Sequence, residues 1–193
     1  MAYKTIRPAT HQEWLDERKK GIGSSEAGTI MGVNRFDTPY GLWRRKTGVD
    51  GPIASNEQME LGHHMEPAVV TMFAARTGAE VCKNSEGDWI AVDKKREYLR
   101  VSPDRLFYEA GARHIKSNLR ILECKTTSVA VDPDDFPVYW YCQLQYQMGV
   151  MDVYPIAANK TVMENNPFFQ VKLKEPVDAE RLRMAVKQSL GEH

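Results

Sequence analysis

Three cysteines in 193 residues, Cys82, Cys124 and Cys142, exclude two common ways of holding a small protein together. An odd count without a C-x-x-C pair leaves neither a disulfide framework nor a structural zinc site, so free thiols, buried or half-buried in a reducing compartment, are expected. No apolar run approaches the roughly 20 residues needed to span a bilayer. The first ten residues lack the charged-then-apolar order of a signal peptide. A cytoplasmic protein without membrane attachment follows as the expectation. Net charge is missing too, since 26 Lys and Arg balance 26 Asp and Glu. That counts against a uniformly basic grip on nucleic acid. Positive charge is left to local clusters at Arg18-Lys19-Lys20, Arg44-Arg45-Lys46 and Lys94-Lys95-Arg96, each of which reads equally well as a solvated face.

Repeats, low-complexity tracts and Pro/Gly/Ser-rich linkers are also absent, so one domain over 1–193 is the simplest organisation. Its core would run from about 14 to 175, followed by an amphipathic C-terminal helix at about 178–190. What is present is a change of period. Helical patterns cover 12–20, a segment capped by Ser24 or Ser25 and running to Met31, then 40–47 and 57–77. Gly78 ends the last of these, and Pro67 suggests that it restarts near Glu66. Strand patterns follow at 80–82, 89–92, 99–101, 105–108 and 119–125, with a polar connection at 111–118. A helix at 137–151 and strands at 153–158 and 168–173 complete the chain. The fold class is therefore α/β or α+β, a single domain with a central mixed, curved sheet flanked by helices.

The residues with most chemistry to offer lie at Ile121-Leu122-Glu123-Cys124-Lys125. Strand alternation puts Glu123 and Lys125 on one face and Cys124 on the other. An isolated Glu-x-Lys is usually a plain cross-strand ion pair. Val101-Ser102-Pro103-Asp104, 19 residues upstream of Glu123, changes that reading, because a hairpin can set Asp104 beside Glu123. Two adjacent carboxylates repel unless one keeps a proton or a cation lies between them. Magnesium suits such a pair, since it takes oxygen ligands, retains waters and works beside phosphates. The Cys124 backbone carbonyl is a further candidate ligand. Lys125 would then stand near an attacking water and stabilise charge building on phosphorus.

At this point the chain resembles a known group. Asp104 with Glu123-Cys124-Lys125 is similar to the Asp…Glu-x-Lys signature of the restriction-endonuclease-like, PD-(D/E)xK nucleases. The flanking blocks narrow the resemblance to the phage lambda-type exonuclease, or YqaJ-like viral recombinase, family. These blocks are Arg18 through Gly21-Ile22-Gly23-Ser24-Ser25-Glu26, then Gly62-His63-His64-Met65-Glu66-Pro67, then Gln143-Leu144-Gln145-Tyr146-Gln147. They occur in the family's order between about Trp14 and Met151. The resemblance implies a restriction-endonuclease-like core and one or two Mg²⁺ ions, with Mn²⁺ as an alternative. Asp104, Glu123 and the Cys124 carbonyl would hold metal, with Glu66 near a second ion. Lys125 would act on the water, while Gln145, with Gln143, would orient the site. Arg18, Ser25 and Ser102 would receive a 5′-terminal phosphate. The activity implied is 5′→3′ degradation of one strand of duplex DNA, leaving 3′ single-stranded tails for phage-type recombination. The partners implied are DNA ends, a single-strand annealing protein, and two further copies in a ring-shaped homotrimer.

Some residues carry plainer alternatives. His63 and His64 point apart on a helix and suit surface or supporting roles better than metal ligation. Tyr139, Trp140 and Tyr141 suit packing behind the sheet better than base stacking. Arg35 is equally a DNA contact or a solvated loop arginine. Glu66, on an otherwise apolar helix face, calls for a metal or an arginine. The connection between Asp104 and Glu123 is longer than the family pattern, and its Arg113, His114, Lys116 and Arg120 are candidate DNA or subunit contacts. Rival readings of the whole are an endonuclease or nickase of the same superfamily, and a non-catalytic subunit that binds DNA ends.

Overall fold

The computed structural model describes residues 3–126, 137–153 and 168–170. Local chemistry sets the helix ends. Helix α1 (His11–Lys19) begins at Thr10, whose hydroxyl accepts from the Glu13 N–H. Helix α3 (Pro39–Lys46) begins at Thr38, which accepts from Gly41 N, with Pro39 supplying a preset φ in the first turn. Helix α4 (Glu57–Thr77) begins at Asn56 and stops at Gly78, in the left-handed conformation at φ 68°. The restart expected at Pro67 does not occur, and α4 runs through it unbroken. A proline removes one backbone donor, and here Val69 and Phe73 anchor the following turns in the core.

Strand β1 (Tyr3–Ile6) was not anticipated from the sequence. It pairs antiparallel with β4 (Ile90–Asp93), which pairs antiparallel with β5 (Leu99–Val101). Strand β2 (Ile22–Gly23) joins β5 in parallel, giving a mixed sheet in the order β1-β4-β5-β2. A second, antiparallel sheet orders β3 (Glu80–Val81), β6 (Arg105–Tyr108) and β7 (Arg120–Leu122). The strand expected over 119–125 is broken at Glu123. Its second half is β8 (Cys124–Thr126), which pairs with β9 (Phe168–Gln170). The remainder of the strands expected at 153–158 and 168–173, and the helix expected at 178–190, lie outside the described residues.

Helix α5 (Val138–Met151) packs against β4, β5 and the short helix α2 (Ala27–Ile30). Val150 and Met151 join Tyr3, Trp89, Ala91, Val101, Leu106 and Ile121 in the main core. A second cluster holds Phe73, Ala79, Phe107 and Leu122, with Phe73 edge-on to Phe107 at 4.8 Å. Burying a side chain such as Phe107 contributes about 1.5–3 kcal/mol. Trp140 and Tyr141 pack on Leu144, in line with the packing role expected of them. Cys82 and Cys124 are half-buried, Cys142 is buried, and all three are free.

The α2–α5 contact depends on a missing side chain. A Cβ on Gly28 would lie 2.5 Å from Tyr139 Cβ and 2.9 Å from its Cα. Gly28→Ala is therefore expected to lose about 1–3 kcal/mol of stability by overpacking. Gly51→Ala, where a Cβ meets nothing within 4 Å, should stay within about 0.5 kcal/mol of the parent. Urea unfolding of both variants checks this, and equal midpoints would refute the packing account.

Candidate active site

Strand β5 alternates strictly at the edge of the site. Leu99 and Val101 enter the core, while Arg100 and Ser102 take the opposite face and line a cleft of about 470 Å³. Pro103 and Asp104 continue from that strand to the cleft floor. Asp104 Oδ2 accepts from the Cys124 N–H at 2.5 Å. A carboxylate thus occupies the backbone donor just past Glu123, at the point where β7 and β8 part.

Glu123 is buried, 6% exposed, and three side chains serve it. Oε1 accepts from Lys125 Nζ at 2.6 Å and from Gln143 Nε2, and Oε2 accepts from Gln147 Nε2 at 2.7 Å. Lys125 Nζ also donates to Gln143 Oε1 at 3.0 Å. The Cys124 side chain faces the other way, against the Phe73–Phe107 cluster, and burial pushes its thiol far up. Asp104, Glu123 and Lys125 therefore meet on one side, although the strand is interrupted at Glu123.

The electrostatics of this group are unbalanced. Burial first, then the Glu123 charge, raises the Asp104 carboxyl well above its ordinary value, with Glu66 adding to the effect. Burial pulls Lys125 down, but Glu123 and Asp104 outweigh it and the ammonium ends up raised. Lys125 is thus a fixed cation beside two carboxylates that repel. The donor set fits a hard divalent cation, which would relieve that repulsion. Among the described residues, no three His, Cys, Asp or Glu side chains are gathered closely enough to cage a metal by themselves. Glu66 reaches the cleft, yet its Oε1 takes Arg105 Nη1 at 2.7 Å, so the partner it called for is an arginine.

The second wall comes from α1 and the turn after β2. Arg18 Nη2 donates to Ser25 Oγ at 3.0 Å, and its guanidinium lies 4.6 Å over the Trp14 ring. Arg18, Ser25 and Ser102 all line the cleft. The helix expected to start with a Ser24 or Ser25 cap is instead a 3₁₀ turn, Ser24–Glu26, followed by four residues of α2. Glu26 Oε2 accepts from Gly23 N, Arg18 holds Ser25, and buried Ser24 faces Gln147. The hydroxyls are turned to side chains, so a guanidinium and hydroxyls form this wall in place of a helix N-terminus. Behind it Lys46 Nζ donates to the Arg18 carbonyl at 2.7 Å. Burial lowers the Lys46 ammonium, and Arg18 and Arg100 lower it further.

Other expected residues lie elsewhere. Arg35 is exposed, its guanidinium over Phe36 and away from the cleft. His63 borders the cleft and His64 does not. Gln145 does not line it either, and its Nε2 finds no partner among the described residues. Gln147 makes the contact to Glu123 that sequence reasoning did not assign. Helical spacing could have found it, since Gln143 and Gln147 are four apart and share a face, while Gln145 turns away.

Comparison with known proteins follows the same outline. Residues 13–154 match the model of the YqaJ-like viral recombinase domain. Over 148 residues the chain is 34% identical to the protein YqaJ of Bacillus subtilis (strain 168), covering 74% of this chain and 43% of that protein. It thus spans less than half the length of that relative. The fold matches the crystal structure of an alkaline exonuclease, LHK-Exo, from Laribacter hongkongensis, with a TM-score of 0.60. LHK-Exo in complex with dAMP matches at 0.56. Each match is 17% identical and covers 94% of this chain and 91% of the other.

The raised Asp104 carboxyl has a consequence for stability. The folded chain holds this proton at a pH where the unfolded chain has released it. The stability so supplied is complete below the ordinary carboxylate value and is lost as pH rises through the raised one. Asp104→Asn keeps an acceptor for Cys124 N and removes the charge. In EDTA at pH 8 it is expected to melt roughly 2–4 °C above the parent, the size of a 1 kcal/mol gain in a chain this long. The gap should close as pH falls toward about 4. A variant melting at or below the parent at pH 8 would rule this out.

Proposed function

The chain belongs to the YqaJ-like viral recombinase family, and from that premise we propose that it is a Mg²⁺-dependent 5′→3′ exonuclease acting on duplex DNA ends. The observation that carries the reading is the gathering of Asp104, bonded to the Cys124 N–H, with the Glu123–Lys125 pair in a cleft bordered by Arg18, Ser25 and Ser102. Asp104, Glu123 and the Cys124 carbonyl would hold the metal, with Glu66 beside a second ion, and Mn²⁺ could substitute for Mg²⁺. The bound cation would supply Lewis-acid charge at the phosphodiester. This chain's residues do the rest.

Lys125, held by Glu123 and Gln143, sits where it can orient a water and stabilise charge developing on the phosphoryl oxygens. Glu123 is pinned by two glutamine amides and so keeps one orientation. A water attacks phosphorus, the P–O3′ bond breaks, and a 5′-mononucleotide leaves while the next nucleotide gains the new 5′-phosphate. Arg18, Ser25 and Ser102 receive that terminal phosphate, a guanidinium and hydroxyls being suited to a dianion. This makes a free 5′ end the point of entry.

The product would be a 3′ single-stranded tail. Its consumer would be a single-strand annealing protein in phage-type recombination, in the cytoplasm of a bacterial cell. A homotrimeric ring would keep the enzyme on its DNA. Among the described residues no helix is long and apolar enough to cross a membrane.

Lys125→Ala is expected to lose at least about 10²-fold in hydrolysis while keeping its fold and DNA binding. The assay uses linear duplex phosphorylated at one 5′ end, with Mg²⁺ or EDTA, beside a closed circular plasmid. Mononucleotides released only with metal, from the phosphorylated end, support the reading. A cut circle would mean an endonuclease, and no cleavage with any divalent metal would mean an end-binding subunit. Separately, Arg18→Ala should lose more rate on phosphorylated than on hydroxyl ends, by roughly tenfold or more. Equal loss on both would remove Arg18 from the phosphate pocket.

A further inference from the structure

Arg100 is placed unlike an ordinary structural arginine. It is 6% exposed, yet it lines the cleft. It lies on β5, two residues before Ser102, which follows the strand's end, and both side chains border the same cleft. Its Nη1 donates to Glu17 Oε2 at 2.9 Å, while its Nε is buried and finds no partner among the described residues. Glu17 does not serve it alone, because Lys20 also binds that carboxylate. A buried guanidinium with one shared counter-charge and an open donor is costly to keep unless an anion completes it.

The neighbourhood says which anion. Arg18, Ser25 and Ser102 border the same cleft, and the charges of Arg18 and Arg100 both reach Lys46. Two guanidinium groups and two hydroxyls thus line the same cleft as the Asp104–Glu123 pair, while Lys46 behind Arg18 is paired with Glu26 at 2.9 Å. An internal phosphodiester carries one negative charge, whereas a terminal phosphomonoester carries about 1.5 to 2 at neutral pH. One guanidinium balances the first, and the second calls for another.

We propose that Arg100 is a second guanidinium of the terminal-phosphate pocket, setting the preference for a 5′-phosphomonoester, with Glu17 tempering its charge. The proposal rests on the exonuclease reading. Glu17 holds one face of the Arg100 guanidinium and so limits how tightly phosphate is held, which lets each new end enter after the last nucleotide leaves.

The test is binding in EDTA, so that nothing is cut. Fluorescence anisotropy compares a hairpin duplex bearing a 5′-phosphate with the same hairpin bearing a 5′-hydroxyl. The readout is the ratio of the two affinities, for the parent, Arg100→Gln and Glu17→Gln. Arg100→Gln is expected to lower the ratio by about tenfold or more, the usual effect of a hydrogen bond to a charged group. Glu17→Gln is expected to raise it, which loss of a merely structural ion pair would not do. An unchanged ratio in a folded Arg100→Gln overturns the inference and leaves the exonuclease reading standing. Should Arg100→Gln not fold, Glu17→Gln decides: a raised ratio supports the inference, an unchanged or lowered one overturns it. A parent that binds both hairpins alike removes the terminal-phosphate pocket, and Arg100's role with it.

Discussion

The site depends on satisfying both oxygens of the Glu123 carboxyl group where little water reaches it. A buried carboxylate is tolerable only if its oxygens are satisfied, and here Lys125, Gln143 and Gln147 do so from two different elements. The requirement shapes the fold around it. The strand carrying Glu123 is interrupted, its next backbone N–H goes to Asp104, and α5 must lie close enough to deliver two glutamines. That approach needs α2 beneath α5, which in turn needs Gly28 without a side chain.

Gln147 extends the same arrangement across the cleft. Its Nε2 serves Glu123 Oε2 and lies 3.4 Å from Ser24 Oγ, next to the serine that Arg18 holds. The carboxylate wall and the cationic wall thus share a buried amide. Loops could not hold that spacing so firmly, because two rotamers locked by packing leave little freedom.

Zero net charge is compatible with an anionic substrate once the ion pairs are located. Arg44 is bound to Asp50, Arg45 to Asp37, Arg96 to Asp93 and Lys116 to Asp152. These pairs contribute little to stability where exposed, but they offset part of the basic charge that stands out in the sequence. Arg18, Arg100 and Lys125 face one cleft, Arg100 and Lys125 each beside a carboxylate. Position, and not the count of charges, makes the difference.

Much of this was legible beforehand. Period-2 patterns located β3 to β6 within a residue, and the apolar period with its terminal glycine located α4. Glu123 and Lys125 could be paired because alternation along a strand is a local rule, and the expected hairpin brought Asp104 beside them. Ser24, Ser25 and Gln145 were harder. Serines before a helix and glutamines on a helix have several partners open to them, and only neighbours far away in sequence choose among them. Arg100 was invisible for the same reason, being one arginine in a short apolar strand until Glu17 and the cleft surround it.

The sequence by itself determined most of the described helices and strands, the Glu123–Lys125 pattern and the family, because these rest on spacing between near neighbours. The tertiary structure alone decided that Glu66 meets Arg105, that Gln147 serves Glu123 in Gln145's stead, and that Arg100 looks into the cleft. Those outcomes depend on distances between segments up to 83 residues apart, which packing sets and local spacing does not contain.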